Sequence, residues 1–483
     1  MPFSAIFPEN TLENALAHRP GPRYKEKIPA QSGFLAMSQA PSSTLNESAL
    51  GALVNEALAE AQRHGATAAE ASASAGKGLA VTVRLGEVES IEYHQDKGLG
   101  VTVYVGQAKG HASTSDFSAK ALRETVAAAL TIARHTSADP CAGLADPDLF
   151  AREIPDLDLY HPWSIDADGA ADLARRCEDA ARSLDPRISN SEGGSVSSGE
   201  GFGVYGNTLG FLGTSRSSRH SLSCSVIAAD AQGMQRDYWY DISRVPTALQ
   251  SPEAIGREAA RRALRRLGAR KIPTGKAPVV FENQVAASLL GHLANAISGG
   301  SLYRKTSFLV DSLGKTLFPA PIRIFEEPHR RRGLGSAAFD GEGVATHDRD
   351  IIQDGVLQGY LLDSYSARKL GMQSTGNAGG AHNLTLAPGA DDLPALLRRM
   401  GTGLLVTELI GFGINMVTGD YSRGAAGFWV ENGELQFPVE EITIAGRLQE
   451  IFAGFAAVGS DLLTHGNTGC PSILIEEMII AGA

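Results

Sequence analysis

Glycine is the most unusual component of this sequence. It occupies 54 of the 483 positions, about one and a half times its ordinary usage. The glycines follow no Gly-X-Y triplet, so a collagen-like rod is excluded. Because glycine adopts backbone conformations that other residues resist, frequent and unevenly spaced glycines are typical of tight turns. The sequence therefore predicts many short strands joined by close turns.

Length and charge narrow the class of protein. A chain of 483 residues and 50.8 kDa is too long for one small core and fits two or three domains. Hydrophobic residues make up 43% and charged residues 20%, which allows a buried core and disfavours bulk disorder. The net charge of −11 disfavours binding to nucleic acid and to anionic membranes. We therefore expect neither of these as a partner.

The features that report on location predict a cytoplasmic protein. No run approaches eighteen apolar residues, and the first twenty residues lack the basic and apolar regions of a signal peptide. The cysteines form no Cys-x-x-Cys pair and fit no disulfide framework, so we expect a reducing compartment. They are Cys141, Cys177, Cys224 and Cys470.

Composition divides the chain into four segments. Residues 1–46 carry loose clusters of proline and serine with no sustained period, which predicts a disordered extension or a start at Met37. We expect an N-terminal α+β domain at 47–148, a middle segment of hairpins and helices at 149–270, and a larger strand-rich C-terminal domain at 271–483. The predicted fold class is α+β, with an N-terminal unit of helices and hairpins joined to the larger strand-rich domain.

Apolar spacing predicts the elements at the start of the ordered chain. A helix is expected from Glu47 to about Gly65, and Ser118 is the expected N-cap of a second helix. Between them, alternating residues predict about four antiparallel strands, with a hairpin turn at Gly86.

The same patterns predict further elements downstream. Helices are expected at 170–184, at 252–267 after the N-cap Ser251, and at 283–298. The segment at 407–434 predicts a loop leading to a strand, with Asn432 and Gly433 as a hairpin turn.

The glycine motif at residues 201–206 matches the Gly-x-Gly-x-x-Gly pattern of dinucleotide-binding sites, but the sequence around it does not. Its sequence is GFGVYG, and Asn207, Thr208 and Gly210 follow it before more strand-like sequence. A dinucleotide site needs a helix to begin there, so that backbone amides face the pyrophosphate. The sequence instead predicts a β-hairpin.

The twelve histidines are too far apart for a local metal site. No two of them lie within five residues, whereas motifs such as His-Glu-x-x-His supply two imidazoles from one stretch of helix. A zinc site assembled from scattered residues stays open as an alternative.

The segment SYSARKLGMQSTGNAGGAHN, at residues 364–383, is the densest unusual stretch. Its glycines allow close backbone approach, and its amides and imidazole add polar groups. It is either a substrate or partner loop, or a turn-rich loop that merely ends a hairpin. The candidate binding residues are Gly376, Asn377, Gly379, Gly380, His382 and Asn383.

Several long segments resemble the TldD/PmbA family, also called the gyrase-modulator peptidases, and its PmbA (TldE) branch in particular. The resemblance extends over roughly residues 47–483. Its segments are RLGEVESIEYHQDKGLGVTVYVG at 84–106, STGNAGGAHN at 374–383, TELIGFGINMVTGDYSRGAAGFWVENGE at 407–434, PVEEITIAG at 438–446 and SILIEEMIIAG at 472–482.

The resemblance implies that this chain works with a partner. In the family, a TldD-type chain holds zinc through a His-Glu-x-x-x-His motif and a downstream cysteine, and the TldE-type chain lacks the motif. The matching segment here is LLGHLANAIS, where Gly291, His292 and Ala296 take the places of His, Glu and His. The resemblance therefore implies no catalytic residue and no metal ligand in this chain, Cys470 included, and zinc on the partner subunit.

The resulting hypothesis is a TldE-type subunit of a cytoplasmic zinc peptidase that degrades or processes unfolded or extended peptides. Such a peptide can be held by adding as a strand to an open sheet edge. Two alternatives remain open. One is a peptide-binding regulatory protein, a gyrase or antitoxin modulator, with no hydrolytic role. The other is a stand-alone metallopeptidase with a scattered metal site.

Overall fold

The computed structural model describes residues 46–482. About 25% of the chain is helical and 40% is in strands, which confirms the predicted α+β class. The predicted extension at residues 1–46 lies outside the described residues, except for its last position. Asn46 caps the first helix, because its side chain accepts a hydrogen bond from the Ala49 N–H.

Nine α-helices and eighteen strands make up most of the regular structure of residues 46–482. In chain order, the α-helices are α1 (Glu47–Arg63), α2 (Ala119–His135), α3 (Ala167–Arg182), α4 (Pro252–Arg265), α5 (Asn283–Ala296), α6 (Gly299–Tyr303), α7 (Ser364–Leu370), α8 (Leu393–Met400) and α9 (Leu448–Ala453). The first nine strands are β1 (Ala68–Arg84), β2 (Glu87–Val105), β3 (Ala108–Thr114), β4 (Ile188–Asn207), β5 (Leu212–Ala229), β6 (Met234–Ser243), β7 (Gly275–Phe281), β8 (Ile324–Glu326) and β9 (Arg349–Gln353). The remaining strands are β10 (Val356–Leu357), β11 (Leu384–Leu386), β12 (Gly403–Ile410), β13 (Ile414–Asn415), β14 (Asp420–Glu431), β15 (Glu434–Arg447), β16 (Phe455–Val458), β17 (Thr468–Gly469) and β18 (Ile473–Ala481).

An antiparallel sheet of six long strands builds the first half of the protein, in the order β3-β2-β1-β4-β5-β6. The predicted hairpin turn is present, with Leu85 and Gly86 at φ values of 53° and 84°. Positive φ at both central residues is typical of the turns that join twisted strands. The strand count differs from the prediction, because β2 is one continuous strand where two were expected. Residues 47–148 therefore contain three strands.

The central pairing of this sheet joins β1 to β4. Ala73, for example, lies opposite Leu99 of β2 on one side and Val204 of β4 on the other. Strands from the predicted N-terminal domain and from the predicted middle segment thus share one sheet. The predicted boundary between residues 148 and 149 falls in the connection between α2 and α3, two helices that pack on this sheet.

Four helices cover one face of the sheet. Alternate residues of β1 point to that face, and the first group, with Ala71 and Ala73, packs under α1 and α2. The second group, with Val81 and Val83, packs under α3 and α4. Both predicted caps are confirmed, since Ser118 and Ser251 each accept a backbone N–H at 3.2 Å. The helices end a few residues or less from the predicted bounds, as is common for helix termini.

The glycine motif at 201–206 lies inside β4 and pairs residue by residue with β5. No helix follows it, because the chain turns near Gly210 and returns as the next strand. The hairpin predicted for this motif is confirmed.

The second half of the protein is organised by a ring of strands. β12 pairs in parallel with β7 and antiparallel with β14. β14 pairs with β15, β15 with β18, and β18 with β7. Following these pairings returns to the starting strand, so the five strands form a closed ring. A smaller sheet, in the order β10-β9-β8-β11-β17, packs against this ring in one shared hydrophobic core.

The two halves meet in a mixed apolar and polar junction. Tyr205 and Phe211 from the long sheet pack with Phe339 from the second half. Arg244 crosses the junction at 8% exposure, and its guanidinium donates to the carbonyl oxygens of Ser218, Gly333 and Leu334. Hydrogen bonds from a buried side chain therefore fix the long sheet to the second half. Within residues 46–482, none of the helices is both long enough and apolar enough to cross a membrane.

Close packing of α2 on β3 predicts a strong effect at Gly110. A Cβ atom there would lie 2.1 Å from the carbonyl oxygen of Ala129 in α2. We expect Gly110→Ala to lower the free energy of unfolding by about 1–3 kcal/mol, the usual cost of overpacking. Urea denaturation followed by circular dichroism measures this change.

Gly98→Ala is the matched control, because a Cβ atom on Gly98 of the neighbouring strand would meet nothing within 4 Å. Its stability should equal or slightly exceed that of the wild type. Equal effects of the two substitutions would contradict the packing described here.

Candidate functional site

Helix α5 carries Gly291, His292 and Ala296, the three positions that the family resemblance aligns with a zinc-binding motif. It starts two residues after β7 and buries Leu289 and Leu293 in the core of the second half. Gly291 lies on the exposed side, with nothing within 4 Å of a Cβ atom built on it. Ala296 is fully buried. Only His292 of the three has a side-chain atom that can bind another group.

His292 is half-buried and faces strand β14. Its ring lies 6.0 Å from the ring of Tyr421, in an edge-on arrangement. Its Nε2 atom is buried and has no hydrogen-bond partner among the described residues. Burial and the nearby charge of Arg423 lower the pKa of His292 to about 4. The imidazole is therefore neutral at physiological pH.

Tyr421 and Arg423 lie two residues apart on β14, so their side chains leave the same face of the strand. Tyr421 is 1% exposed, and burial raises its pKa to about 12, although the nearby guanidinium of Arg423 offsets part of the rise. The Tyr421 hydroxyl and the Arg423 Nε are nevertheless both buried without a hydrogen bond of good geometry to any described residue. These two residues and His292 are called the His292–Tyr421–Arg423 cluster below.

Sequence patterns alone did not reveal this cluster. The segment that contains Tyr421 and Arg423 predicts only a loop leading to a strand, with a hairpin turn at Asn432 and Gly433. That hairpin is present as β14 and β15, with positive φ at both turn residues. The available signal was the alternation Tyr-Ser-Arg at the start of a predicted strand, which places the two long polar side chains on one face.

The residues present do not fit a zinc ion. Cys470 is fully buried after β17, its thiol contacts the carbonyl oxygen of Pro471 at 3.4 Å, and burial raises its pKa. Gly291 and Ala296 offer no ligand atom, whereas zinc sites use at least three protein ligands. Across residues 46–482, no three side chains of His, Cys, Asp or Glu are grouped so that they could hold a metal ion.

The predicted loop at 376–383 is folded around a buried carboxylate. Glu326 of β8 is 2% exposed. It accepts hydrogen bonds from the Asn377 amide at 3.0 Å, the His382 backbone N–H at 2.7 Å and the Arg349 guanidinium at 3.0 Å. Such charge-assisted bonds are the stronger class of hydrogen bond. They fix the loop to the small sheet.

The structure brings the six predicted loop residues together, with different exposures. Gly376, Asn377 and Asn383 are buried, His382 is half-buried, and Gly379 and Gly380 are exposed at the surface. All three glycines have positive φ. The exposed pair is the part of the loop that another molecule can approach, and its role in binding remains a prediction.

A small cavity connects the loop with the end of α5. Its volume is about 320 Å³, at the lower end of the range for ligand pockets. Asn295 and Ser298 line it from the helix side, and Asn377 and Gly380 line it from the loop. The helix with the replaced motif and the predicted loop therefore border the same space.

Two carboxyl groups accept backbone hydrogen bonds in and near the loop. Asp340 accepts a hydrogen bond from the Ala378 N–H at 2.9 Å, and Glu342 accepts one from the Ser364 N–H at 2.9 Å. Burial, together with the charge of Asp340, raises the pKa of Glu342 to about 7. Glu342 therefore titrates near neutral pH in the folded protein.

Family models match three consecutive parts of the chain. They are described as PmbA/TldA metallopeptidase domain 1 at residues 69–133, central domain at 160–267 and C-terminal domain at 274–482. Together they span most of the residues that the structure describes.

Curated proteins give the same result over most of their length. The chain is 54% identical to "Metalloprotease PmbA" of Escherichia coli O157:H7, covering 86% of this chain and 92% of that protein. It is 51% identical to "Metalloprotease PmbA homolog" of Haemophilus influenzae, covering 89% and 95% respectively.

Solved structures match the fold. A Bacteroides thetaiotaomicron protein, described as a candidate modulator of DNA gyrase, is 29% identical with a TM-score of 0.86 over 91% of this chain and all of that one. TldE from Thermococcus kodakarensis is 20% identical, with a TM-score of 0.77 over 89% of this chain and all of that one. The second likeness concerns the fold alone.

The raised pKa of Glu342 predicts a loss of stability as the pH rises. In the unfolded chain the carboxyl titrates near its ordinary value of 4.5, whereas in the folded protein its pKa is about 7. Between these values the folded state binds more protons, so its stability falls with increasing pH. We expect this group to contribute a loss of about 2–3 kcal/mol from pH 4.5 to pH 7.

Glu342→Gln is the test, because an amide oxygen can still accept the Ser364 N–H and cannot ionise. The difference in unfolding free energy between wild type and variant should change across this pH range. A difference that is constant from pH 4.5 to pH 8 would contradict the assignment.

Proposed function

The chain belongs to the PmbA/TldD family of metallopeptidases, and we propose that it is the metal-free, peptide-holding subunit of a two-chain zinc peptidase. A TldD-type partner supplies the zinc and the catalytic base. The substrates are unfolded or extended peptides, and the complex is cytoplasmic. The family models and the relatives named metalloprotease support the peptidase class. The partner, the location of zinc and the substrates are the proposal.

The observation that carries this proposal is the composition of α5. The helix follows β7 and lines the 320 Å³ cavity, as a catalytic helix would. Glycine and alanine nevertheless stand at positions 291 and 296, where the family resemblance places two histidine ligands. A zinc peptidase needs a metal, a base and a groove for the peptide. This chain has a small cavity beside the helix and lacks the ligands, which supports a division of these tasks between two chains.

A second candidate is a peptide-binding regulatory protein without hydrolytic activity. The description of the Bacteroides relative as a candidate gyrase modulator favours it. The net charge of −11 disfavours direct binding of this chain to DNA, including DNA that is bound to gyrase. The two candidates differ in whether the chain, with its partner, increases the rate of peptide cleavage.

Reconstitution tests the proposal. This chain, a TldD-type partner and their mixture are each assayed for zinc content and for cleavage of an unstructured peptide. We expect cleavage only in the mixture and zinc only on the partner. Replacing the histidines of the partner's His-Glu-x-x-x-His motif should abolish cleavage, because metal chemistry then has no site.

Cys470→Ala in this chain tests whether this cysteine is a zinc ligand. Cys470 is the cysteine near the C-terminus, and its thiol is buried in the core, so we expect kcat within about twofold of wild type. If Cys470→Ala removed zinc that the wild-type chain binds, or if this chain alone bound one zinc and cleaved the peptide, the protein would be a stand-alone metallopeptidase. Peptide binding without cleavage in any mixture would favour the regulatory protein.

A further inference from the structure

We propose that the His292–Tyr421–Arg423 cluster is a binding site for a carboxylate group of an extended peptide. The proposal rests on the proposed function, since it names the chemical group by which this subunit recognises its substrate. The carboxylate comes either from the C-terminus of the peptide or from an acidic side chain.

Three unpartnered polar atoms mark the site. His292 Nε2 is buried without a hydrogen bond among the described residues, and the Tyr421 hydroxyl and Arg423 Nε, whose side chains interact with each other, are buried without one of good geometry. A buried polar atom left without a partner costs about 1–3 kcal/mol. Folded proteins rarely carry three such atoms side by side. Their grouping around one helix and one strand therefore indicates that another group satisfies them.

The chemistry of the cluster selects an acceptor. The guanidinium of Arg423 only donates hydrogen bonds and is positively charged. Tyr421 keeps its proton, because burial raises its pKa to about 12. His292 is neutral, since its pKa is about 4, and can carry its ring proton on Nε2. Three donors around one positive charge match a carboxylate, which accepts hydrogen bonds at both oxygens.

Arg423 differs from other arginines nearby in having no acidic partner in the part of the chain that the structure describes. Arg266 pairs with Asp237 and Glu408, and Arg447 pairs with Asp420 at 3.8 Å. Arg423 is half-buried, so part of its guanidinium remains open to an approaching group. The missing counter-ion is the strongest sign that the carboxylate comes from another molecule.

An exposed apolar turn packs on the strand that carries Tyr421 and Arg423. The turn between β12 and β14 folds back on the strand, because the Ser422 N–H, between Tyr421 and Arg423, donates to the Gly413 carbonyl at 2.7 Å. Phe412 in this turn is 88% exposed, and Ile410 and Val417 are each 55% exposed.

Binding of three matched peptides tests the site. The probes are acetyl-Ala-Ala-Phe with a free carboxylate, the same peptide as its C-terminal amide, and acetyl-Asp-Ala-Phe amide. Calorimetric titration of the purified chain should show at least tenfold tighter binding of a carboxylate peptide than of the neutral amide. Preference for the first or the third peptide distinguishes a C-terminal from a side-chain carboxylate.

Substitutions then locate the effect. Arg423→Gln should remove the preference for the carboxylate, and Arg423→Lys should retain part of it. Tyr421→Phe should weaken carboxylate binding severalfold with little change in the melting temperature, because it deletes a hydroxyl that has no hydrogen bond of good geometry to the described residues. Arg447→Gln is the control, since this arginine on the adjacent strand already pairs with Asp420.

Equal binding of all three peptides, or binding of none, would overturn the proposal. So would an unchanged preference in Arg423→Gln and Tyr421→Phe, which would indicate that the three atoms bind only a buried water molecule. The titration requires neither zinc nor cleavage. A failure here is therefore distinct from a failure of the two-chain peptidase, which the reconstitution assay decides.

Discussion

The pairing of β12 with β14 is the constraint on which the second half of the protein depends. It closes the ring of five strands, and it requires close contact of the two backbones at Gly427, where a Cβ atom would lie 1.8 Å from the Leu405 carbonyl oxygen. Closure fixes the start of β14 next to α5, which follows directly after β7 of the same ring. His292 and Tyr421 meet because closure of the ring brings together the elements that carry them.

The ring and the small sheet place two different surfaces around one helix. On one side of α5, the cavity is bordered by the loop that Glu326 holds through Asn377 and His382. The His292–Tyr421–Arg423 cluster lies where the same helix faces β14. The helix itself presents glycine and alanine where the family resemblance implies metal ligands in a TldD-type chain. Under the proposed function, such a chain contributes surfaces for peptide recognition, and the metal chemistry takes place on the partner.

Local patterns in the sequence were sufficient for the elements whose signals are themselves local. The turn at Gly86, the caps Ser118 and Ser251 and the hairpin at 201–206 depend on residues close in sequence, and the structure confirms them. Closure of the strand ring joins residues far apart in the chain, and alternation alone does not specify a partner strand. The cluster was missed for the same reason, since His292 and Tyr421 are 129 positions apart and only the ring brings them together.

In the proposed complex, zinc and peptide recognition lie on different chains. The anomalous scattering of zinc in crystals of the two-chain complex, recorded on both sides of the zinc absorption edge, locates the metal. We expect one strong peak per pair of chains, among the motif residues of the partner, and no peak at Gly291, His292 or Cys470. A peak next to His292 and Cys470 would place the metal in this chain and rule out the proposed division.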